Sequence, residues 1–148
     1  MAKPFDAKEI EAAILDELTD ITQELVVATG TAVVFATPVG NPTLWQNPTS
    51  APPGYVGGHA RRNWVAAPDV APRGELPGIE QSPSVKVSEI KRAAETFNAR
   101  RSKRFWLVNN VPYINRLNDG WSTQAPAGFI ERGIRAAVKA PLPRRKNI

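Results

Sequence analysis

His59 is the only histidine of the chain, and cysteine is absent. The usual zinc sets are built from several Cys and His ligands, so one histidine and no cysteine exclude them. His59 also lacks the His-Glu-x-x-His setting of a metalloprotease helix. What it could offer is a general base beside a serine, with an aspartate to orient it. Any Ser and Asp can become neighbours in a fold, but no Gly-x-Ser-x-Gly elbow occurs. Gly54-Tyr55-Val56-Gly57-Gly58 has neither the Lys-Ser/Thr of a phosphate loop nor a strand–helix frame, so it reads as a turn. The carboxylates Asp16 and Glu17 fall on the polar face of a helical pattern, where nothing apolar raises a general acid's pKa. These residues point away from an enzyme: no catalytic residue, no metal and no cofactor is expected.

Charge is the other candidate chemistry. The net charge is +5, with Arg100, Arg101, Lys103 and Arg104 in one cluster and Arg144, Arg145 and Lys146 in another. Such clusters suit phosphate backbones or a solvated surface. A small basic nucleic-acid-binding protein is therefore the competing function. No zinc-ligand set, homeodomain signature or aromatic ribonucleoprotein motif supports a sequence-specific reader.

The elements that position these residues follow from periodicity. Asp6 with Glu9 three residues on makes an Asp version of the capping box. Ile10, Ile14, Leu18, Ile21, Leu25 and Ala28 then recur at helical spacing over residues 6–29, with Gly30 as the stop. Glu9, Glu11, Asp16, Glu17, Asp20 and Glu24 occupy the rest of that helix, either as a solvated face or as a dock for a basic neighbour. Thr31–Ala36 is β-branched and apolar and reads as a strand. The near-apolar run Leu25–Ala36 is shorter than the about 20 residues a membrane span takes. The charged start, Met1 to Asp6, argues against a signal peptide.

Residues 38–86 hold nine of the fourteen prolines and six of the ten glycines. So long an irregular stretch is unusual in a compact domain. Arg61–Ala67 is its one candidate strand. Trp45, Tyr55 and Trp64 punctuate it, and each either meets another subunit or pins the loop to its own domain. Ser88 is the expected cap of a second helix bearing Ile90, Ala93, Ala94 and Phe97. Phe105–Val108 reads as a central strand, and Asn109 and Asn110 as its turn. Pro112 opens a short helix with Tyr113 and Leu117 on one face, ended by Gly120. Pro126 starts the last helix, with Phe129, Ile130, Gly133, Ile134, Ala137 and Val138 apolar. Its central Gly133 costs roughly 1 kcal/mol relative to Ala, which close packing would offset.

The fold class expected is α+β. It has a long N-terminal helix, a small antiparallel sheet of three or four strands, shorter C-terminal helices and a long Pro/Gly-rich loop. Residues 1–140 form one domain and 141–148 a flexible basic tail. Phe105, Trp106, Leu107, Ile14 and Leu18 are the expected core. The 42% of hydrophobic residues argues against wholesale disorder.

Two ordered blocks carry a family resemblance. The first runs from Asn109-Asn110-Val111-Pro112-Tyr113 through Gly120 to Ser122-Thr123-Gln124-Ala125-Pro126-Ala127-Gly128-Phe129. The second comprises Thr37-Pro38-Val39, Gly54-Tyr55-Val56-Gly57-Gly58 and Arg62-Asn63-Trp64. Together they resemble the tailed-bacteriophage tail-completion proteins, the group that includes the lambda minor tail protein Z. The resemblance spans roughly residues 30 to 140. It implies a virion part at the head–tail junction, assembled in the host cytoplasm and forming a six-fold ring. The implied partners are other copies and the neighbouring neck, terminator or tail-tube proteins. Weak contact with genomic DNA stays open, and no membrane is involved. Matching to the family block singles out Tyr113, Leu117, Gly120, Trp121, Gln124, Ala125, Pro126 and Gly128, with Trp121 and Gln124 facing a neighbour. A ring needs two different patches per subunit, and the acidic helix and the basic surface at Arg100, Arg101 and Lys103 are expected on opposite sides.

Overall fold

In the computed structural model, which describes residue 4 and residues 6–140, the Asp6 carboxylate accepts the Lys8 amide at 3.0 Å. This cap opens helix α1, which runs from Ala7 to Ala36. It does not stop at Gly30, and the expected strand Thr31–Ala36 is its last part. β-Branched residues disfavour helix only weakly, and tertiary packing overrides that preference. Here the continuation buries Val33 and Val34, which are 1% and 0% exposed. Thr31 returns its hydroxyl to the Val27 carbonyl at 2.7 Å, a bond compatible with helix. Gly30 serves close approach instead: a Cβ there would lie 2.8 Å from Ile90 Cγ2. The helix ends where the Thr37 amide and hydroxyl both turn back to the Val33 carbonyl, just ahead of Pro38.

Helix α2 (His59–Arg62) leads into strand β1 (Trp64–Pro68). Helix α3 spans Pro83–Glu95, so Ser88 lies inside it and Ser82 stands at its N-cap. Pro83, with φ preset for the first helical turn, moves the start upstream of the expected position. Strand β2 (Phe105–Asn109) pairs antiparallel with β1, with Trp64 opposite Asn109 and Pro68 opposite Phe105. The sheet has these two strands among the described residues, because the candidate third became helix. β2 is accordingly half-buried along its length, not central. Helices α4 (Ile114–Asn118) and α5 (Phe129–Lys139) complete the order. The fold is α+β, with a long N-terminal helix and shorter C-terminal ones, as the pattern predicts.

The core gathers Val33, Val34, Trp64 and Ile90, with Val26, Ala66, Val87, Leu107, Ile114 and Ile130 packed around them. A two-stranded ribbon is marginal alone in water, so β1 and β2 stand through Trp64, Ala66 and Leu107. α3 runs antiparallel along α1. Ile90 faces Gly30, Gln23 Nε2 donates to the Phe97 carbonyl, and the Ala99 amide donates to Thr19 Oγ1. On its other flank, Gly133 of α5 lies against Ala32 and Val33. Ile14 and Leu18, expected in the core, are 54% and 47% exposed. They continue the apolar stripe of α1 beyond the reach of α3 and α5. By length and composition α1 could cross a bilayer. Its more apolar C-terminal half is instead the part against which α3 and α5 pack.

The 38–86 stretch is stitched to the domain by side chains bonding backbone. Asn63 Oδ1 accepts the Leu76 amide at 2.7 Å, and its Nδ2 donates to the His59 and Leu76 carbonyls. Asn110 Nδ2 donates to the carbonyls of Pro72 and Gly74. Buried Arg61 donates to the carbonyls of Gln81 and Thr37. The basic tail expected at 141–148 lies outside the described residues.

Candidate functional site

A cavity of ≈ 360 Å³ opens between the 38–60 segment and the 113–124 segment. Its aromatic lining is Trp45, Tyr55, Tyr113 and Trp121, and Arg116, His59 and Gln124 are its main polar groups. Trp45 and Tyr55 meet edge to face, centroids 5.0 Å apart. Tyr55 packs so tightly on Gly40 that a Cβ there would fall 2.2 Å from the phenolic oxygen. Burial raises the Tyr55 pKa and, more strongly, that of Tyr113, which is pushed up to about 12. Both phenols are therefore neutral, with no tendency to act as bases near neutral pH.

Gln124 joins the two walls. Its Oε1 accepts the Asn41 amide at 2.9 Å and its Nε2 donates to the Val39 carbonyl at 2.7 Å. Thr123 adds a bond from its hydroxyl to the Leu44 carbonyl. The Gln124 amide, expected to face a neighbour, thus holds the loop of its own chain. Trp121 remains 61% exposed, with the Arg116 guanidinium 5.5 Å from its ring centroid. That stacking is a cation–π contact.

Both ring nitrogens of His59 have partners. Nδ1 lies 2.8 Å from the Gly78 carbonyl, and Nε2 lies 2.8 Å from Glu75 Oε2. Two acceptors suit the doubly protonated ring. The Gly78 carbonyl first, and Glu75 next, hold its pKa above the ordinary value against a smaller opposing effect of burial. A general base needs a lone pair aimed at its nucleophile, and here both nitrogens face the oxygens of Gly78 and Glu75. Among the described residues no cluster of three His, Asp or Glu side chains could hold a metal ion.

The remaining candidates are scattered. Trp64, offered above as an interface residue, is 5% exposed and donates from Nε1 to Thr37 Oγ1, so it is core. Trp45, Tyr55, Tyr113, Trp121 and Gln124 come together around the cavity. Arg100, Arg101 and Lys103 lie elsewhere, in a turn organised by Asp69, whose carboxylate accepts the Lys103 amide at 2.9 Å. Arg100 also bonds Asp16 of α1 at 2.8 Å. The acidic helix and the basic cluster, expected on opposite sides, are thus contiguous at that pair.

Sequence reasoning missed three positioning residues. Asn118 caps α5 from twelve residues upstream: its Oδ1 accepts the Ile130 amide, and its Nδ2 reaches both Glu131 oxygens at 2.8 Å. No local spacing rule reports such a cap. Arg61 is buried among loop carbonyls, with nothing in its neighbours to signal it. Lys86 is 1% exposed and bonds Glu89 at 2.5 Å, a pair that its i, i+3 spacing does display.

Comparison of the chain with protein-family models, curated protein sequences and solved structures gives no match.

Proposed function

We propose that this protein is a structural subunit of a tailed-bacteriophage virion. In this reading, copies form a ring at the head–tail junction that joins the tail to the DNA-filled head. Its neighbours are neck, terminator or tail-tube proteins, its place is the virion, and it performs no catalysis.

One observation carries the reading beyond the resemblance itself. Four amide side chains of the resembling blocks bond the chain's own backbone: Asn63 at Leu76, Asn109 at Ala60, Asn110 at Pro72 and Gly74, and Gln124 at Val39 and Asn41. Residues used this way fix a surface and leave no convergent reactive set, which suits a part whose work is contact. The test is genetic. Deleting the gene from the phage that encodes it should yield full heads beside separate tails in electron micrographs, with rescue by the gene supplied in trans. Intact, infectious virions from the deletion would overturn the reading.

A further inference from the structure

The α1 stripe presents Ile10, Ile14 and Leu18 to solvent, 43%, 54% and 47% exposed. At i, i+4 and i+8 they share one face, flanked by Glu11 and Glu17; Lys8 is the only basic residue of the whole helix. A second bare apolar edge lies on α5, where Ile134 and Val138 are 41% and 61% exposed, beside Arg135 and Lys139. The two edges match in character and oppose in charge.

They cannot meet within one chain. α5 packs at Ala32 and Val33. Leu18 lies fourteen residues earlier, roughly 21 Å along the helix, while all of α5 is only about 16 Å long. Among the described residues, neither edge can therefore serve as the other's cover in the same chain.

We propose that copies of this chain associate head to tail, with the Ile10–Ile14–Leu18 stripe of one seated on the Ile134–Val138 edge of α5 in the next. Arg135 and Lys139 then face the acidic flanks of α1. Pairing α1 with α1 would instead oppose carboxylates, which disfavours a symmetric dimer through this helix. Using two different patches leaves a free one at each end, so the association continues until it closes. This inference rests on the assembly reading above, and its test separates the two.

The test uses two variants of the full chain, each checked for native helicity. One carries Ile14→Glu and Leu18→Glu; the other carries Arg135→Glu and Val138→Glu. All four positions are exposed, so both should fold. In light scattering the wild type should exceed the 16.1 kDa of one chain. Each variant alone should fall to one chain. Mixed in equal amounts, they should pair into a species of two chains and stop, because one intact edge of each kind remains. Three results would overturn the inference: a wild-type mass of one chain, an oligomer that neither variant disturbs, or an oligomer broken only by the α1 variant. None of these alters the gene-deletion phenotype, by which the virion reading stands or falls on its own.

Discussion

The two halves of α1 carry one apolar stripe but live in different surroundings. From about Gln23 onward the helix is flanked by α3 and α5, and Val33 and Val34 are sealed against Trp64 and Ile90. Before Thr19 the same periodicity continues, but there Ile10, Ile14 and Leu18 stay about half exposed. Periodicity specifies a face. Whether that face is buried depends on elements that reach it from thirty or more residues away.

Mutation should expose this division most strongly in the core. Ile90→Ala removes a side chain that is 2% exposed and should cost about 2–5 kcal/mol. Ile14→Ala on the bare half should stay within about 0.5 kcal/mol in the monomer. Urea denaturation measures both, and equal losses would erase the distinction drawn here.

Gln124→Ala probes the other joint of the molecule, where a side chain replaces strand pairing. Losing its two bonds should cost about 1–2 kcal/mol. Hydrogen exchange should quicken at the Asn41 amide, whose acceptor is Gln124, while amides in the sealed half of α1 keep their protection.

A smaller effect concerns pH. His59 has its pKa raised in the folded state. The stability it contributes is therefore complete below the ordinary histidine value of about 6.5 and declines as pH climbs through the folded value. Thermal midpoints should fall over that window in the wild type, and His59→Ala should flatten the slope. A slope that survives the substitution would assign it to another group. Smallest of all, Asp16→Asn should lower stability by less than about 1 kcal/mol, because the Arg100 pair is solvent-exposed and screened by salt.

Much of the architecture was legible. The Asp6 start, the strand at Phe105 and the apolar face of α5 all follow from local patterns that the structure keeps. Gly30 shows where such reading fails. A glycine that ends a helix and a glycine that admits a neighbour look identical until Ile90 is known to lie opposite. The β-branched run after it then joined the helix, and the sheet lost a strand. Ser88 failed differently, because Pro83 offered an earlier start. Around the cavity, the aromatic residues were visible as a group, but the grip of Gln124 on Val39 and Asn41 spans more than eighty residues. Only the folded chain brings those atoms within reach.

The unsheathed turns of α1 also have a practical consequence for how the molecule moves through solution. A thirty-residue helix is roughly 45 Å from end to end, more than the roughly 38 Å diameter of a compact sphere of 148 residues. Friction grows with such an extension even though mass does not. A lone copy will therefore elute from a sizing column ahead of a sphere of 16.1 kDa, and could be mistaken for a dimer by anyone calibrating against round standards.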